Sequence, residues 1–189
     1  MQTQRKFTLI HRLLHWGMAI TMMTILLTIG LRNGWMNKTH MGELIQSGVA
    51  EYGVTITLKE TEEIAKSIRS VMFNWHIWAG YAMGTLLLLR GFYYLKKGVF
   101  YRDPQSTPTT HEHLLGIIYG TFYLLCTFSV VSGLLFYLGG KENIPAIVKD
   151  LHKLSLWYVI PFLCAHLVGM VLSEVRDKSK IVSKMFGGE

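Results

Sequence analysis

Half of the 189 residues are apolar and only 16% are charged, against about 25% charged in an ordinary soluble domain. That composition excludes a typical soluble enzyme and suits one integral membrane domain spanning residues 1–189, with the lipid bilayer as its solvent. The formal charge of +7 is spread over several connections instead of gathered in one patch, so no nucleic-acid partner is expected.

Four long apolar runs follow along the chain, at about 9–31, 73–95, 114–138 and 151–172. Each is near the ~20 residues that carry a helix across a ~30 Å hydrocarbon layer. Backbone inside lipid must satisfy its own hydrogen bonds, so helices are expected and strands are not. The fold class is therefore all-α, an integral membrane four-helix bundle. The first run is too long for the core of a secretory signal. It carries His11, Arg12 and His15, with no A-x-A pattern after it, so it is expected to stay as a span.

The connection over 32–72 is the longest and is polar. Thr57 and Glu60 match a capping box, predicting a short helix to about Arg69 that leads into the second span. Pro104 and Pro108 mark the second connection as a loop, and Gly139 with Gly140 ends the third span. Asn143 to Pro145 turns the chain into the fourth. Cys126 and Cys164 fall in mid-span, where a thiol packs as a small hydrophobe. Trp35, Met36, Tyr93, Tyr94, Tyr137 and Trp157 read as interfacial or packing residues.

Charge sets the orientation. Arg5, Lys6 and Arg12 open the first span, Arg90, Lys96, Lys97 and Arg102 surround the second connection, and Arg176, Lys178, Lys180 and Lys184 follow the fourth span. The first connection instead balances five basic with five acidic residues, and the third sets Lys141, Lys149 and Lys153 against Glu142 and Asp150. By the positive-inside rule both termini are cytoplasmic.

Ionisable residues inside a span are costly to keep, so the histidines need a reason. His152 and His166 are fourteen residues apart, near four full turns, which predicts one helix face and about 21 Å of axial separation. Pro161 between them should bend that helix. On antiparallel spans His15 shares the inner level with His166, and His76 shares the outer level with His152. Neither pair has a neighbouring Cys, Asp or Glu to complete a bare zinc site. A porphyrin supplies four equatorial nitrogens and needs only axial ligands. Two bis-histidine haems are thus expected, and with no C-x-x-C-H motif in the chain they are haem b, held non-covalently.

The stretches "RLLHWGMA" from Arg12, "NWHIWAGYAMGTLLLLR" from Asn74 and "HEHLLGIIYGTFYLL" from His111, with the His152/His166 segment, resemble the prokaryotic cytochrome b561 family. That group includes the b-type membrane subunits of nickel–iron hydrogenases. The tail "DKSKIVSKMFGG" from Asp177 is similar to the hydrogenase-type members. The resemblance covers all four spans and implies the same ligands, His15, His76, His152 and His166. It also implies the bacterial inner membrane, the quinone pool, and a periplasmic redox partner: a hydrogenase, another oxidoreductase or a c-type cytochrome. A bound quinone and a homodimer are left open.

Among the remaining polar residues, Arg12 and Arg90 are expected to hold the propionates of the inner haem, and Arg69 or Lys153 those of the outer one. His11 lies one turn from His15 and is the alternative ligand; the His–Trp context favours His15. His113 could contact a propionate or a quinone, Glu174 could handle quinone protons or simply bound the span, and His40 is a loop residue. The leading function is an electron conduit between quinone and its partner. A free-standing quinone-linked superoxide oxidase is the alternative, against which the charge-balanced first connection argues mildly. A haem-free transporter or membrane anchor is a third reading, and it requires the histidines to be dispensable.

Overall fold

The structure, a computed structural model, describes residues 7–97, 110–139, 145–176 and 181–187, and among these the regular elements are all helical. In chain order they are α1 (Leu9–Asn33), α2 (Lys38–Ala50), α3 (Leu58–Lys97), α4 (Thr110–Leu138), α5 (Ala146–Lys153), α6 (Ser155–Arg176) and α7 (Ile181–Gly187). The loop expected around Pro104 and Pro108 lies outside the described residues, as do Arg5, Lys6, Arg102, Lys141, Glu142, Lys178 and Lys180.

Among the described residues, three helical segments are long and apolar enough to cross a membrane: Leu9–Asn33, His113–Leu138 and Ala146–Val175. The expected second span, about 73–95, is helical throughout but belongs to α3, a helix of 40 residues. At 1.5 Å per residue such a helix is about 60 Å long, roughly twice the hydrocarbon thickness. Asn74, His76 and Arg90 dilute its apolar stretch. The short helix expected to end near Arg69 does not end there. No proline interrupts residues 58–97, so nothing removes a backbone donor and the helix runs on.

The start of α3 does follow the sequence. The Thr57 amide and hydroxyl donate to Glu60 Oε2 at 2.9 and 2.7 Å, and the Glu60 amide donates back to Thr57 Oγ1 at 3.3 Å. Amides that no helical carbonyl reaches are thereby satisfied. Helix α2 was not anticipated; Asn37 caps it, its Oδ1 accepting from the Thr39 amide at 3.0 Å.

The fourth span also differs. Its helix begins at Ala146 just after Pro145 and is interrupted at Leu154, so His152 sits in α5 and His166 in α6. The expectation that both share one unbroken helix is corrected accordingly. At the interruption the Ser155 hydroxyl donates to the His152 carbonyl, and the Trp157 amide bonds the Leu154 carbonyl at 3.0 Å, three residues back. These local bonds replace part of the helical ladder. Pro161 lies inside α6.

The chain forms two compact units, Met18–Met83 and the pair of segments Met1–Gly17 with Gly84–Glu189. In the first unit Met18, Met22, Ala65, Ala79 and Met83 are buried. There α2 meets α3 at Gly42, where a Cβ would come within 3.2 Å of the Glu62 amide nitrogen. Lys38 pairs with Glu62, and the Thr39 hydroxyl donates to the same carboxylate at 2.8 Å. In the second unit α4 packs against α5 and α6. Phe122 stacks on Phe162 with ring centroids 3.5 Å apart, and the Tyr158 hydroxyl donates to the Leu125 carbonyl at 2.7 Å. Many large apolar side chains, Leu124, Val168 and Leu172 among them, stay exposed. On three helices of membrane-crossing length, that is the surface lipid would cover.

Candidate cofactor site

His15 on α1 and His166 on α6 face each other, with ring centroids 6.1 Å apart and planes at 51°. Two metal–nitrogen bonds of about 2 Å, plus about 1 Å from each nitrogen to its ring centre, require a separation of roughly 6 Å. The pair has the spacing of two axial ligands to one ion. Aromatic packing holds both rings. Trp16 meets His15 edge-on at 5.7 Å, and Phe162 stacks on His166 at 5.9 Å with planes 6° apart. Phe162 itself rests on Phe122 of α4. Tyr119 stands edge-on to His166 at 6.2 Å, its hydroxyl 3.5 Å from Nδ1.

Two cations accompany this pair. Arg90 is only 6% exposed; its Nε donates to the Tyr94 hydroxyl at 2.8 Å, and its guanidinium lies over the Tyr94 and Tyr123 rings at 5.3 and 5.6 Å. Its charge acts on both His11 and His15. Among the described residues no carboxylate pairs with it. A buried cation without a counter-ion is expensive, and an anionic group of a cofactor would offset it. Arg12 donates through Nη1 to the Phe186 carbonyl at 2.8 Å, while its buried Nε has no hydrogen-bond partner among the described residues. An orphaned buried donor three residues before His15 on α1 fits an acceptor such as a haem propionate. His11 takes no part in the pair: its ring stacks on Phe7 at 5.1 Å and meets Tyr93 edge-on at 6.4 Å.

His152 on α5 is fixed by α4. Its Nδ1 lies 2.9 Å from the Ser129 carbonyl and 3.3 Å from Ser132 Oγ. The Ser132 hydroxyl donates its own proton to the same carbonyl at 3.0 Å. A carbonyl only accepts, so the hydrogen-bond network assigns the proton to Nδ1 and the ring lone pair to Nε2. That is the tautomer of an Nε2 metal ligand. The ring rests on Gly133, where a Cβ would be 2.7 Å from His152 Cε1.

His76 belongs to the unit Met18–Met83. Thr28 Oγ1 lies 3.1 Å from its Nδ1 and 2.7 Å from the Ile25 carbonyl; with the hydroxyl proton on that carbonyl, the oxygen accepts from Nδ1, which assigns the ring the same tautomer as His152. Phe73 stacks on the imidazole at 4.6 Å with planes 8° apart, and the Arg32 guanidinium covers the Phe73 ring at 4.3 Å.

Other expected residues have local roles. Lys153 pairs with Asp150 at 3.0 Å in the open. His40, expected in a loop, lies on α2 and is exposed, as is His113, and the side chain of His111 lies outside the described residues. Glu174 accepts from the Val182 amide at 3.2 Å and so anchors the start of α7. The far end of α7 is held by Arg12, by Trp16 Nε1 donating to the Met185 carbonyl at 3.3 Å, and by Phe186 against the Trp16 ring at 4.5 Å.

Sequence reasoning passed over Thr28, Ser129, Ser132 and Gly133. The signal existed, since Thr28 and Ser132 are hydroxyl residues within very apolar runs and both are only 4% exposed. Buried hydroxyls in such runs imply bonding partners. Among the described residues no three of His, Cys, Asp and Glu converge as they would for a bare ion. No curated protein and no solved structure matches the chain. A sequence model of one family, prokaryotic cytochrome b561, matches residues 6–188.

Proposed function

From the premise that this chain belongs to the prokaryotic cytochrome b561 family, and so is a membrane protein that binds haem b for electron transfer, we propose that it is a single-domain di-haem conduit. His15 and His166 are the axial ligands of an inner haem, and His76 and His152 those of an outer one. Arg12 and Arg90 hold the inner propionates. The protein carries electrons between the membrane quinone pool and a periplasmic redox partner, a hydrogenase, another oxidoreductase or a c-type cytochrome. It sits in the bacterial inner membrane as four spans, α3 supplying the least apolar one, with both termini in the cytoplasm.

The observation that carries this reading is the 6.1 Å separation of the His15 and His166 rings, at which two imidazoles can share one iron. Bound haem supplies reversible one-electron chemistry, and filling both axial positions disfavours oxygen binding. The chain's own residues do the rest. They orient imidazoles, balance buried charge and keep water away with Trp16, Phe162 and Tyr119.

The test is direct. Reduced-minus-oxidised spectra of the purified protein should show b-type bands, and alkaline pyridine extraction should give about two haems per chain. A colourless preparation with intact helices would overturn the reading, and a stoichiometry of one would reduce it to a single clamp.

A further inference from the structure

Thr28 is a polar residue, 4% exposed, in the most apolar part of α1. A threonine in a helix usually satisfies its hydroxyl by donating to a carbonyl three or four residues back, and Thr28 does so with Ile25. That accounts for its proton but leaves its oxygen lone pairs, and they meet His76 Nδ1 at 3.1 Å. We propose that Thr28 is the positioning residue for His76: it fixes the imidazole as the Nδ1–H tautomer and so commits Nε2 to the metal. The proposal rests on reading His76 as a haem ligand.

Three features make the arrangement specific. The hydroxyl has one proton, and donating it to Nδ1 instead would give up the 2.7 Å bond to the Ile25 carbonyl. A hydroxyl that already donates is polarised and accepts more strongly. The ring cannot swing away cheaply, since Phe73 stacks on its face at 4.6 Å and is itself covered by Arg32. A directional bond and a flat wall thus both act on His76. His152 receives its equivalent bond from the Ser129 backbone carbonyl, which no side-chain substitution at that position removes. Ser132 Oγ also lies 3.3 Å from that Nδ1, farther than the carbonyl.

Hydrogen-bond acceptors behind a ligating histidine raise its basicity, and losing one typically weakens metal binding by about 10- to 100-fold. A more basic imidazole favours the ferric over the ferrous ion, so removing the acceptor raises the midpoint potential of the haem it serves.

The test uses Thr28→Val, which keeps the branched shape, and Thr28→Ser, which keeps the hydroxyl, with His76→Ala beside them. In detergent-purified protein, Thr28→Val should retain wild-type helix content, lose one of the two haems on dilution, and shift the potential of any outer haem that remains upward, with the other haem unmoved. Thr28→Ser should restore both properties. In haem-free protein, ¹⁵N shifts of His76 should report an Nδ1–H ring for wild type and Thr28→Ser, and a redistributed proton for Thr28→Val. If His76→Ala removes one haem while Thr28→Val leaves stoichiometry, potentials and tautomer unchanged, the positioning role is wrong and the ligand stands. If His76→Ala keeps both haems, the ligand assignment itself falls.

Discussion

Gly133→Ala is the sharpest perturbation the structure offers. A Cβ at this position would be 2.7 Å from His152 Cε1, 3.1 Å from Nδ1 and 3.5 Å from Nε2. Carbon atoms pack comfortably at about 3.5–4.0 Å, so the overlap with the ring is close to 1 Å. The imidazole cannot turn aside freely, because Nδ1 is tied to the Ser129 carbonyl at 2.9 Å. Either that bond breaks, leaving a buried donor and costing about 1–3 kcal/mol, or α5 moves off α4, at a similar overpacking cost of about 1–3 kcal/mol. Against this stands the helix propensity of Ala over Gly, a gain of about 0.5–1 kcal/mol. The net effect on folding is modest, about 0–2.5 kcal/mol by difference, while the effect on ligand position is the full displacement. The variant should therefore keep its far-UV circular dichroism and lose one haem of two in the pyridine assay. Gly120→Ala in the same helix is the control, since its Cβ would meet nothing within 4 Å; it should keep both haems. Two haems with unchanged potentials in Gly133→Ala would refute the idea that the His152 ring needs this space.

Alanine at His15 or His166 should each remove one haem, and the double variant should remove no more than that one; alanine at His76 or His152 should remove the other, all read by haem stoichiometry. Arg90→Met should have opposite effects on the two forms. The haem-free chain should melt at the same or a higher temperature once an unbalanced buried charge is gone, whereas haem should bind roughly tenfold or more weakly from loss of a charge-assisted bond of about 1.5–3 kcal/mol. Outside the spans, hydrogen bonds from Lys38 and then Thr39 hold Glu62 below its ordinary value of 4.5, and bonds from Thr57 do the same for Glu60. A depressed folded value means that the stability these groups lend is complete above 4.5 and is lost as pH falls through the lowered folded values. Amide protection factors, corrected for the intrinsic pH dependence of exchange, should therefore fall over 38–66 in acid while those of α4 and α6 hold; a uniform response along the chain would contradict this.

Much of the fold was legible because a bilayer imposes a simple rule on sequence. Apolar runs gave α1 to within two residues and the end of α4, though not its start at Thr110, and the Thr57/Glu60 pair gave the start of α3. What sequence missed depended on signals that are locally weak. Nothing within residues 58–97 says where a surface helix should stop, so the absence of a breaker decided it. Helix α2 carries little apolar periodicity and is stabilised by Glu62, 24 positions after Lys38, a contact no local pattern reveals. The interruption at Leu154 arises from competition by the Ser155 hydroxyl for the His152 carbonyl, which propensity does not encode. The candidate ligands were legible as residue types, but their supporting atoms were not, because backbone carbonyls such as that of Ser129 carry no sequence signature.

The candidate ligands are held by two different kinds of force, and this has a functional consequence. His15 is set by the edge of Trp16 and acted on by the buried charge of Arg90, and His166 is set mainly by stacking on Phe162, its Nδ1 meeting the Tyr119 hydroxyl only at 3.5 Å. His76 and His152 are set by directional bonds from Nδ1 at 3.1 and 2.9 Å. Packing fixes a ring plane but leaves ligand basicity nearly untouched, whereas an Nδ1 acceptor increases it. A nearby cation disfavours the ferric charge, and an acceptor favours it. If His15/His166 and His76/His152 each hold a haem as proposed, the protein would push the two in opposite directions, toward a higher potential at the first and a lower one at the second. Charge substitutions at Arg90 should move the first potential and spare the second, and hydroxyl substitutions at Thr28 should do the reverse. If one substitution moved both potentials equally, the two sites would not be independently tuned, and the division between packing and hydrogen bonding would have no bearing on electron transfer.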